Sequence, residues 1–65
     1  MPRVFVDVDG TIHRADISDN THECLRDGAF LRKRPMQWFL RKVVKEYGEL
    51  TEEKIIAFMD EEWIL

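Results

Sequence analysis

The sequence predicts an α+β fold: a short β-hairpin or strand-turn followed by two or three helices, in one small domain spanning residues 1–65. Three observations carry that expectation. Val4, Phe5, Val6 and Val8 form a β-branched and aromatic run suited to a buried strand, and Asp9-Gly10 directly after it is the strongest short signal for a two-residue hairpin turn. Met36, Phe39, Leu40, Val43, Val44 and Tyr47 fall on one helical stripe behind Pro35. Thr51 stands as an N-cap before Glu52 and Glu53, and Ile55, Ile56, Met59 and Trp63 recur at helical spacing.

Taken in order, the first strand pairs through the turn with Thr11–Ala15, and the polar stretch from Asp16 to Asn20 reads as a loop. Asn20 caps a short helix from Thr21 to Asp27, with Glu23 reaching back as in a capping box and Gly28 as the stop. Ala29-Phe30-Leu31 is then a connector. Proline is favoured at a first helical position, so Pro35 opens the next helix. Arg41, Lys42 and Lys45 lie toward its negative end, and Gly48 ends it. Glu52 to Ile64 forms the last helix. A rival reading makes residues 55–60 a strand ending at Asp60; the cap and the periodicity favour the helix.

A chain of 65 residues supports a small core, and dimerisation is one way to enlarge it. The single cysteine, Cys24, excludes an internal disulfide and suits a reducing compartment. No apolar run is long enough to span a membrane and no signal-peptide core is visible, so the expected location is cytoplasmic. A net charge of −3 argues against a dedicated nucleic-acid binder. The charge is segregated: residues 26–45 hold seven basic side chains against Asp27, and residues 46–65 hold seven acids against Lys54. Two packed helices whose opposite charges face each other account for that division. His13, His22 and Cys24 lack zinc-ligand spacing. Trp38 and Trp63 read as core or interface anchors, and as partner hot spots if exposed.

The chemistry lies at the end of the first strand. Asp7 and Asp9, two residues apart beside Gly10, can hold a hard cation and meet a phosphate, and a carboxylate can form an acyl phosphate. The apolar run Val4-Phe5-Val6 followed by Asp7-Val8-Asp9-Gly10-Thr11 resembles the first motif of the haloacid dehalogenase (HAD) superfamily, most of whose members are Mg²⁺-dependent phosphatases. Lys33-Arg34-Pro35 and then Trp38-Phe39-Leu40 are loosely similar to the segment before that family's second motif. The resemblance implies Asp7 as the phosphoryl-accepting nucleophile, Asp9 as general acid/base and carbonyl donor to Mg²⁺, and a phosphate-containing substrate. The later motifs are missing. Thr51 and Lys54 have the residue types of the phosphate-binding hydroxyl and the charge-steadying lysine, but they stand at a helix start. The family's sheet also needs several βαβ units, which 65 residues cannot supply.

Two expectations of different class follow. One is a reduced HAD-like module that binds Mg²⁺ through Asp7 and Asp9, with catalysis lost or completed by another chain. The other is a small non-enzymatic regulatory protein that binds a larger protein partner, in which Asp9-Gly10 is only a turn. A homodimer is compatible with both.

Overall fold

The computed structural model describes residues 1–62; Trp63 and the predicted end of the last helix at Ile64 lie outside the described residues. Two strands, β1 (Arg3–Val8) and β2 (Thr11–Asp16), form an antiparallel hairpin, and three helices follow: α1 (Asp19–Arg32), α2 (Met36–Tyr47) and α3 (Glu52–Glu62). The predicted α+β class and its element order hold. The helices cover one face of the hairpin, with α2 against β1. Val6, Ile17, Leu25, Leu40, Val43 and Ile55 are the most completely buried side chains, so every helix and β1 contribute to one core.

The first helix is longer than its sequence signals suggest. It begins after Ser18, not Asn20, because the Ser18 hydroxyl accepts the Thr21 N–H at 3.2 Å. The reciprocal half of the capping box comes from α3, not from Glu23. The Ser18 N–H donates to Glu52 Oε2 at 3.0 Å, and the buried Thr21 hydroxyl donates to the same oxygen at 2.7 Å. Those two hydrogen bonds hold the Glu52 carboxyl below its ordinary pKa. One carboxylate thus satisfies the start of α1 and fastens α3 to the end of the hairpin.

Helix α1 also runs through Gly28 and absorbs the expected connector Ala29-Phe30-Leu31. Its stop is Lys33, left-handed at φ 57°, where the Lys33 N–H returns to the Phe30 carbonyl and the Arg34 N–H to the Ala29 carbonyl. That is the hydrogen-bond pattern of a Schellman motif, with lysine in the position glycine usually takes. Pro35 then serves as the N-cap of α2, one residue before the helix proper. Gly48 ends α2 at φ 81°, and Thr51 caps α3 by accepting the Lys54 N–H at 3.1 Å, both as the sequence suggests.

The opposite charges expected to face each other across α2 and α3 do share a pocket, whose lining includes Lys42, Lys45 and Glu62, but among the described residues none closes to an ion pair. Among the described residues the ion pairs are Arg3–Asp16, Arg26–Glu23 and Arg26–Asp27, none of which joins those helices. Aromatic rings take the place of carboxylates. Arg34 and Lys42 lie 4.6 and 4.5 Å from the Trp38 ring centre, and Lys54 lies 5.7 Å from that of Tyr47. The Tyr47 hydroxyl donates to Glu61 at 2.8 Å, and the neighbouring carboxylate pushes its pKa up to about 12.

Candidate functional site: the hairpin

Each strand of the hairpin alternates sides, so residues paired across it share a face. Val4, Val6 and Val8 pair with Ala15, His13 and Thr11 on the helix-covered side. Arg3, Phe5 and Asp7 pair with Asp16, Arg14 and Ile12 on the outer side. Arg3 donates to Asp16 at 2.8 Å, which holds the Asp16 carboxyl below its usual value. The remaining outer surface is apolar at its centre: Phe5 is 57% exposed and Ile12 is 52% exposed, on neighbouring cross-strand pairs.

Asp9 and Gly10 both take positive φ, 53° and 84°, as a type I′ turn requires. This is the conformation for which Asp-Gly is suited, and it matches the right-handed twist of the strands. Asp7 serves the same turn: its Oδ1 accepts the Gly10 N–H at 3.0 Å. Both carboxylates are exposed at the hairpin tip.

Mg²⁺ is commonly held by one or two carboxylates, with waters and substrate phosphate completing an octahedron. The remaining Asp7 oxygen and the Asp9 carboxylate fit that pattern only as part of a shell. Among the described residues no group of three or more His, Cys, Asp or Glu side chains could hold a metal ion. The other residues with phosphatase-like identity are engaged elsewhere, Thr51 in the cap of α3 and Lys54 over the Tyr47 ring. Asp60 is exposed on α3. Cys24 is an exposed free thiol, and His13 and His22 are half-buried. Trp38 is half-buried against the core and meets Phe39 edge-on at 4.8 Å, so its ring is an anchor rather than an open platform.

The feature the sequence reading missed is the state of β2. None of its six residues is buried, whereas β1 buries every second one. The direction of its backbone groups follows from two contacts. The Phe5 carbonyl accepts from Gln37 of α2 at 2.8 Å, so it faces away from β2, and the Ile17 N–H reaches the Pro2 carbonyl at 3.0 Å. Phe5–Arg14 and Asp7–Ile12 are therefore the pairs that do not exchange hydrogen bonds, and the N–H and C=O of Ile12 and Arg14 point outward. Among the described residues no hydrogen bond reaches those groups. The outer edge of β1 receives the Gln37 amide, while the edge of β2 is open.

Compared with protein-family models, characterised proteins and solved structures, the chain matches none. The functional reading rests on the hairpin alone. No helix among the described residues is long and apolar enough to cross a membrane.

Proposed function

We propose that this chain is a small non-enzymatic binding module that engages protein through its hairpin. The observation that carries the reading is the unburied strand β2, whose outward backbone groups lie beside the exposed Phe5 and Ile12. An exposed edge with apolar residues next to it is the surface on which a further strand can add. Main-chain hydrogen bonds then supply affinity and the flanking side chains supply selectivity. In this reading Asp7 and Asp9 shape the turn that presents the edge.

A photo-crosslinking residue at Phe5, compared with one at the exposed Glu53 of α3, tests this. The expected result is an adduct of defined mass from position 5 and none from position 53, whether the captured protein is another chain or a second copy. Absence of adducts from position 5 in both the purified protein and its native extract would overturn the reading.

The phosphatase-related reading keeps one support, the two exposed carboxylates at a single tip. As a proposal it amounts to weak Mg²⁺ binding at Asp7 and Asp9, with the phosphate-binding groups contributed by another chain.

A further inference from the structure

We infer that the occupant of the open edge is a second copy of this chain, with the two β2 strands pairing antiparallel about His13 to make a four-stranded sheet. The inference rests on the binding reading above and names its partner. Only registers that set outward-facing residues against outward-facing residues can form the ladder, so Ile12, Arg14 and Asp16 must meet one another.

Five such registers exist. Centred on Ile12, only the Ile12 pair lies within the strands, because Arg14 then faces Gly10 of the turn; centred on Asp16, two carboxylates stand directly opposite. Centred on Arg14, the pairing sets two guanidinium groups directly opposite, which is destabilising. Centred on Ala15, it sets Arg14 against Asp16, but Asp16 is already held by Arg3 at 2.8 Å, and Ile12 is left uncovered. Centred on His13, it sets Ile12 against Arg14 of the second copy, twice by symmetry. Ile12 N–H and C=O then exchange hydrogen bonds with Arg14 C=O and N–H on each side of the axis. On the outer face the sheet reads Phe5, Arg14, then Ile12 and Asp7 of the second copy. The Arg14 stem covers the exposed isoleucine, and its guanidinium extends toward Asp7, which has one oxygen beyond the Gly10 contact. This register covers both isoleucines, keeps two hydrogen-bonded residue pairs within the strands and sets no like charges opposite. Pairing also gives β2 the second neighbour it lacks.

The test is sedimentation of the purified protein across a concentration series, with the Arg14→Pro variant alongside. The Arg14 N–H makes no bond within the hairpin, so proline there leaves the monomer intact while removing a donor from the edge. The expected result is a dimer that Arg14→Pro converts to monomer, with an unchanged circular dichroism spectrum. Register is read separately in a Cys24→Ser background: His13→Cys should crosslink to itself on oxidation, and Ala15→Cys should not. A monomer at every concentration, or crosslinking through Ala15→Cys but not His13→Cys, would overturn the inference. In the first case, adducts of another protein from position 5 would leave the binding reading standing. Loss of those adducts as well would remove both.

Discussion

Val6 and His13 face each other across the same pair of strands, yet Val6 is fully buried and His13 is half-exposed. The contrast extends along the hairpin. β1 alternates strictly between core and solvent, while β2 has no fully buried residue and only Ala15 rests against the core. Helix α2 packs over β1 and lends the Gln37 amide to its outer edge. A residue's pairing partner therefore says little about its energetic weight; the layer above it decides. β1 belongs to the core and β2 to the surface, although both were formed by one turn.

The sharpest way to break that contrast is to truncate both members of one pair. Val6→Ala removes two buried methyl groups and should cost about 2 kcal/mol, whereas His13→Ala should stay below about 0.5 kcal/mol, since surface substitutions usually do. Urea midpoints of the two variants, taken where the protein is monomeric, check this. Similar losses would mean that β2 is held as firmly as β1.

A second test concerns the contact that ties the end of β2 to the helices. Its C-terminal end runs into Ser18, and Ser18 and Thr21 share the Glu52 carboxylate. Removing the cap with Ser18→Ala should cost about 1 kcal/mol, and amide exchange at Ile17 should quicken along with that of the first turn of α1. The carboxylate adds a pH signature. Glu52 is more acidic in the folded chain than its ordinary value of 4.5, so its contribution is complete above that value and is lost as pH falls through the lower folded pKa. Asp16, held down by Arg3, likewise loses its contribution as pH falls through its lowered pKa. Comparison with Glu52→Gln isolates the Glu52 part: the variant should be less stable near neutrality, and the difference should shrink on acidification.

Local signals made much of this fold legible in the sequence. Asp9-Gly10 specifies a turn because few other dipeptides accept two successive positive φ values, and Pro35, Gly48 and Thr51 mark helix ends for equally local reasons. What could not be read were devices spanning the chain. The start of α1 is completed by Glu52, 34 residues from Ser18, and no window around Asn20 contains that partner. Gly28 was taken as a stop because glycine usually is one, but tertiary packing carries the helix through it. The openness of β2 was equally invisible, since its composition resembles any half-buried strand and only the placement of the helices decides its cover. For the site, the two acids were legible as residues, and the part Asp7 plays in the turn required the hairpin register.

Lys33 offers a smaller test, away from the hairpin. It ends α1 in the left-handed region at a cost that glycine would not incur, so Lys33→Gly should raise stability by about 0.5–1 kcal/mol. Thermal unfolding reads the gain. Exchange rates in β2 should hardly change, because the gain arises in a helix end that β2 does not touch; a matching rise in β2 protection would mean that strand and helix open as one unit.

The smallest expected effect bears on whether the tip of the hairpin has chemistry of its own. Asp7 already accepts a hydrogen bond from Gly10, so a cation binding there competes with the turn for one of its oxygens and finds few other ligands. Titrating Mg²⁺ with beryllofluoride, the amide signals of Asp7, Asp9 and Gly10 should drift slightly and without saturation. Asp7→Asn keeps an oxygen able to accept the Gly10 N–H, so it should leave the turn in place and abolish even that drift. A saturable response that requires beryllofluoride would demand a phosphoryl-like ligand held beside Asp7. The acids would then serve phosphate chemistry as well as the turn, and the edge of β2 would lie next to a reactive site.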